Sequence, residues 1–137
     1  MDFQKCLDEG FIRKDRNVEE RVSDEILLAE RFLNSAKNNL KIKEYEMCVI
    51  AAYNSIFHCE RALLYKKGYT ERSHFCIVVA LKRFYDDEKL IELLHSADKI
   101  RISRHEVQYR GKFVERGEVE FVIGLAEQLL NHTKEIL

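Results

Sequence analysis

The sequence predicts an all-α fold, an up-and-down bundle of four main helices plus a shorter one, and three observations carry that expectation. The first is what is missing: the 137 residues include no proline and only five glycines, so little in the chain breaks a helix or makes a β-turn. The second is periodicity, because apolar residues return at spacings of three and four along most of the length. The third is that strand patterns are absent. One domain spanning residues 1–137 is expected, long enough to bury roughly two-thirds of its unfolded surface.

The elements follow in order. Residues 2 to 10 predict a short helix. Val22, Ile26, Ala29, Leu33, Ala36 and Leu40 make a narrow apolar stripe, which predicts a helix from about 22 to 42 with Ser23 or Asp24 as its N-cap. From Glu44 to Gly68 the apolar residues cover most of the circumference, so this is the central, best-buried helix. Lys66 and Lys67 followed by Gly68 suit its C-terminus, placing cations against the dipole and a glycine after the last turn. Ser73 caps a shorter helix reaching about Tyr85. Its "FCIVVAL" run would also pass for a buried strand, but it has helical neighbours and no partner strand. Another helix covers Glu88 to Arg110 and closes at Gly111. The last begins near Gly117, with Phe121, Val122, Leu125, Leu129 and Ile136 on its inner side.

Composition excludes several classes. The N-terminus "MDFQKCLDEG" lacks the basic start and apolar run of a signal peptide, and no stretch approaches a membrane span, so a cytoplasmic protein away from membranes is expected. Cys6, Cys48, Cys59 and Cys76 show no CxxC spacing and are expected to be reduced. His58-Cys59 and His74-x-Cys76 are the only close His/Cys pairs and lack ligand spacing, so neither a metal nor a cofactor is expected. No nucleophile elbow, P-loop or dinucleotide fingerprint occurs.

Net charge is −1, which argues against an indiscriminate nucleic-acid coater, but the charge is unevenly spread. Six basic residues against one acid lie between Arg61 and Arg83, and six against three between Asp98 and Arg116. Packed side by side, these segments would hold a phosphate backbone; left apart, they are solvated helix ends. The densest polar stretch is "RISRHEVQYRG", Arg101 to Gly111. On a helix Arg101, His105 and Tyr109 stack on one face, with Arg104 and Gln108 in the next row. Arginine presents a planar fork to phosphate oxygens and histidine titrates near neutrality, a pairing suited to holding a phosphate and moving a proton without metal. A capped, salt-bridged surface helix would look similar.

The segment "AAYNSIFHCERALLYKKGYTERSH", Ala51 to His74, resembles the signature of small prokaryotic HEPN-domain proteins. Tyr53, Phe57-His58, Ala62-Leu63-Leu64, Lys67-Gly68-Tyr69 and Ser73-His74 carry the likeness, and "CLDEGFIRKD" and the acidic-apolar last helix extend it over nearly the whole chain. The resemblance implies a helical bundle, pairing of two subunits, and the chemistry of metal-independent endoribonucleases, many of them toxins of toxin–antitoxin pairs. Their motif is an arginine followed by Asn, His or Asp, then a histidine further along the helix. Arg104 and His105 match its first part, but Tyr109, five residues beyond Arg104, holds the place of the histidine. A phenol of ordinary pKa ~10 is a poor base at neutral pH, though it can still donate to a phosphate oxygen. The branch with this tyrosine resembles proteins encoded beside minimal nucleotidyltransferases.

Three readings result. In the leading one a homodimer binds nucleotide or RNA phosphate through Arg101, Arg104 and Arg110, with His105 and Tyr109 orienting it, as part of a toxin–antitoxin-like pair with a nucleotidyltransferase. In the second the protein is a metal-independent endoribonuclease using Arg104 with His105 or Tyr109. In the third it is a non-catalytic helical interaction module. His58 and His74 are secondary phosphate-site candidates; otherwise His58 is a core or interface histidine and His74 fixes a turn.

Overall fold

Nearly every face of the central helix is apolar, and the molecule is built around it. The computed structural model describes residues Met1–Leu137. Its helices are α1 (Phe3–Asp8), α2 (Val22–Lys41), α3 (Tyr45–Lys66), α4 (His74–Phe84), α5 (Glu88–Arg110) and α6 (Arg116–Ile136), so the all-α bundle is the observed fold. α3 packs against α2, α4, α5 and α6, which is why its buried residues point in all directions. The α2–α3 contact is the most extensive. Ala29, Ala36 and Ala52 are small enough for the two backbones to approach, and buried Ser55 donates its hydroxyl proton to the Ala29 carbonyl at 2.7 Å. Fully buried Leu63, Leu64, Leu94 and Leu129 extend the core outward, each stabilising it by ~1.5–3 kcal/mol. No helix is long and apolar enough to cross a membrane.

Four expectations are corrected. A small sheet exists: β1 (Ile12–Lys14) pairs antiparallel with β2 (Tyr69–Glu71), Ile12 opposite Glu71 and Lys14 opposite Tyr69. Strands of three residues leave no alternation to read, and their pairing depends on the turn at Gly68, whose φ of 83° turns the chain out of α3. Neither Ser23 nor Asp24 caps α2. A 3-10 turn, Val18–Arg21, runs straight into it, and the Val22 amide bonds the Glu19 carbonyl instead. Phe121 lies outside, 61% exposed, because Val119, Val122, Ile123 and Ala126 place the buried face of α6 away from it.

Cysteine is the fourth. Cys6 and Cys76 form a disulfide that ties α1 to the first turn of α4, with Cα atoms 5.9 Å apart across a sequence separation of 70. Cys48 and Cys59 are free and buried. Burial pushes the Cys59 thiol up to about 12, so it packs as a small hydrophobe.

The cap of α5 supplies a pH prediction. Asp87 accepts from the Leu90 amide at 2.9 Å, and both its oxygens lie 3.0 Å from His132 Nε2 on α6. The Leu90 amide, with the His132 ring also contributing, holds the Asp87 carboxyl below its ordinary value. A depressed carboxylate stabilises the fold above the unfolded pKa, and that contribution is lost as pH falls through the folded pKa. Asp87→Ala is expected to cost about 1 kcal/mol at neutral pH, and the gap from wild type should close in acid. Urea midpoints of both proteins across an acid titration test this. A gap that stays constant down to the lowest pH would remove the ionised carboxylate from the account.

Candidate functional site

The C-terminal half of α5 and the start of α4 form the walls of one cleft, about 700 Å³ in volume. α5 contributes Arg101, Arg104, His105 and Arg110, and the residue after its left-handed Gly111 cap, Lys112, closes one end. His74, first residue of α4, stands on the opposite wall. It is placed there by the Ser73 cap, whose hydroxyl accepts from the Cys76 amide at 3.4 Å. Four permanent cations therefore face the cleft against one acid, Glu106, and Ile102 is the only apolar residue lining it. Glu106 lies 3.7 Å from Lys112, while Arg101 is held by Asp98 one turn back at 3.1 Å.

Beneath this lining is a buried aromatic floor from α3. Tyr53, 3% exposed, carries Arg104 over its ring with the guanidinium carbon 4.5 Å from the centroid. Such a cation–π contact orients an arginine without neutralising it. Arg104 Nη1 donates to Gln108 Oε1 at 3.0 Å, and its buried Nε has no partner. The Tyr53 hydroxyl lies 2.8 Å from His74 Nδ1, and Phe57 stacks under the imidazole with centroids 4.4 Å apart.

Burial sets the protonation states. It pushes the Tyr53 phenol up to about 12, with Glu60 adding and Arg104 and Arg101 opposing, so the O–H persists at neutral pH. Burial also holds the His74 imidazole below its ordinary 6.5; Glu71 opposes this, and Arg104, Arg101 and Arg61 reinforce it. Glu60, deep under α5, is pushed up to about 8 by burial and by Asp98. Largely protonated at neutral pH, Glu60 adds little negative charge beneath Arg101, whose carboxylate partner is Asp98.

The structure thus brings His74, Arg101, Arg104, His105 and Arg110 to one cleft, and leaves two expected residues outside its lining. Tyr109 is 64% exposed, its ring 5.0 Å from that of His105. His58 is on another face of α3, its Nδ1 2.5 Å from the buried Glu25 carboxylate and its ring stacked on Phe32. Sequence reasoning missed the floor and Lys112. Tyr53, Phe57 and Glu60 recur at helical spacing through the apolar face of α3, and a polar group on such a face signals that it needs a partner. No three His, Cys, Asp or Glu side chains converge on a metal position.

A helical bundle with a cationic cleft between two of its helices is the class that fold and site define. The HEPN domain family model matches residues 22–136, and the chain belongs to that family. It is similar to "Putative toxin MJ0605" of Methanocaldococcus jannaschii, at 25% identity over 126 residues covering 89% of this chain and 92% of that protein.

Proposed function

We infer that this protein is a toxin-like HEPN protein whose cleft binds the phosphates of RNA or of a nucleotide. The observation that carries this is Arg104. Its guanidinium is fixed over Tyr53 and leaves its charge uncompensated by any carboxylate, among three further cations. The relative from Methanocaldococcus is named as a toxin, which supports the toxin-like role. Exposed Ile102 in the cleft lining, with exposed Tyr109 and Phe113 close to it in the chain, supports pairing of two copies, and the resemblance to the branch encoded beside minimal nucleotidyltransferases supports such a partner in a toxin–antitoxin-like pair. Sedimentation of the purified chain and its coexpression with such a partner test those two points.

Binding of a single-stranded RNA, measured against salt, tests the cleft. Release of counterions from about three phosphates predicts a log–log slope near −2. Arg104→Ala is expected to weaken binding about 10- to 100-fold, the range for a lost charged hydrogen bond, and to flatten the slope by ~0.7. Affinity unchanged in a folded Arg104→Ala protein would refute the phosphate site. Metal-independent endoribonuclease activity is the second reading. It is favoured by the presence of two histidines, His74 and His105, in the same cleft as Arg104. Cleavage of an RNA pool in EDTA, lost in Arg104→Ala, is its expected signature.

A further inference from the structure

We propose that His74, held by Tyr53, is the general base of this cleft and takes the proton from a ribose 2′-hydroxyl of an RNA whose scissile phosphate rests on Arg104. The assignment rests on the reading of the cleft as an RNA phosphate site and adds to it a group that the arginine-centred motif on α5 does not contain.

Tyr53 is the side chain that couples the two functions. Its ring face carries the Arg104 guanidinium and its hydroxyl meets His74 Nδ1, so one buried residue sets the spacing between phosphate anchor and base. For Nε2 to accept a proton the neutral imidazole carries its hydrogen on Nδ1 and donates it to the Tyr53 hydroxyl oxygen, an arrangement the phenol holds in both the base and the imidazolium. With Nδ1 engaged and Phe57 against the ring, Nε2 is the remaining nitrogen, and it has no protein partner. His105 lines the same cleft, but it is exposed, no hydrogen bond fixes either of its nitrogens, and its ring rests on exposed Tyr109. Orientation separates the two candidates, because a base must be held within reach of its proton.

The charged and titratable groups around His74 come from three elements. Arg101 and Arg104 face it from α5, Arg61 and Tyr53 from α3, and Glu71 from β2. Burial first, then the three cations, disfavour the imidazolium against the opposing Glu71, so the free base form predominates at neutral pH. A bound phosphate offsets those cations and makes the proton easier to accept.

The step balances without a further reactant. The 2′-O–H proton passes to His74 Nε2 as the 2′-oxygen forms a bond to phosphorus. The P–O5′ bond breaks, its electron pair leaves on O5′, and O5′ takes a proton from water. The products are a 2′,3′-cyclic phosphate and a 5′-hydroxyl, and the imidazolium returns its proton to solvent. Arg104 neutralises the charge gathering on the non-bridging oxygens.

The test uses full-length protein in EDTA with one RNA oligonucleotide and the same oligonucleotide made 2′-deoxy throughout, measuring binding and cleavage separately. Wild type is expected to bind both and cut only the ribo form, with a kcat/KM that rises through the free protein's pKa below 6.5 and then levels. His74→Ala is expected to keep binding and lose about 10²- to 10⁴-fold in rate, with partial recovery in added imidazole. His74→Gln, which keeps a polar side chain at the helix start, is expected to lose rate likewise and to lose the low-pH limb. Tyr53→Phe keeps the ring under Arg104 and should lower kcat while leaving KM near wild type. Binding without cleavage by wild type, or a rate and pH profile unmoved in folded His74→Gln, overturns the assignment of His74. Absence of RNA binding by wild type overturns the phosphate reading beneath it.

Discussion

Glu25→Ala is expected to lower the unfolding free energy by about 3–5 kcal/mol, the range for removing one partner of a buried ion pair. Glu25 is 2% exposed, one turn before Ala29 on the buried face of α2. Its carboxylate meets His58 Nδ1 at 2.5 Å, Arg61 Nη1 at 3.6 Å and Arg21 Nη2 at 3.9 Å. Arg61 then bonds Glu71 Oε1 at 2.9 Å, so one carboxylate links α2 to α3 and, through Arg61, to β2. Truncation leaves His58 and Arg61 partly buried without it. The double variant Glu25→Met, His58→Phe keeps an aromatic ring against Phe32, removes the Glu25–His58 pair, and leaves Arg61 its bond to Glu71. It should therefore be less destabilised than Glu25→Ala alone. Urea denaturation of the three proteins measures this. A cost for Glu25→Ala within the ~0–1 kcal/mol of a surface pair would mean that the network contributes little to the fold.

Breaking the Cys6–Cys76 disulfide is expected to cost about 4 kcal/mol, because the bond closes a long loop and restricts the unfolded chain. The loss should appear on reduction of wild type and in Cys6→Ser, and reduction should then add nothing to Cys6→Ser. It should not fall evenly over the molecule. α1 is six residues long and too short to hold itself, so with the bond open it depends on Phe3 against Tyr69 and Phe84. Amide exchange is expected to rise first in α1 and the first turn of α4, before the α2–α3–α6 core. Equal acceleration throughout would show that α1 opens only with the whole fold.

Much of the fold was legible because helix signals are local. The stripe of α2, the apolar circumference of α3, Ser73 before α4 and Gly111 after α5 each announce an element within a turn or two of sequence. The arginines of the cleft were legible for the same reason: Arg101, Arg104 and His105 share one helix, and helical geometry alone puts them on neighbouring rows. Tyr53 could be singled out in sequence, but its position under Arg104 could not be read there, since the two residues lie 51 positions apart on different helices. His74 was a secondary candidate that only the packing of α4 against α3 brings to the wall of the cleft.

Sequence alone therefore determined the helical class, the order and near-complete extents of the helices, and the clustering of Arg101, Arg104 and His105 on α5. These depend on interactions between residues three or four apart. Tertiary structure decided the β1–β2 pairing, the Cys6–Cys76 bond, the burial of Glu25 against His58, and the junction of Arg104 and His74 on Tyr53. Each joins segments distant in the chain, and such contacts are set by how apolar faces dock rather than by any spacing in the sequence.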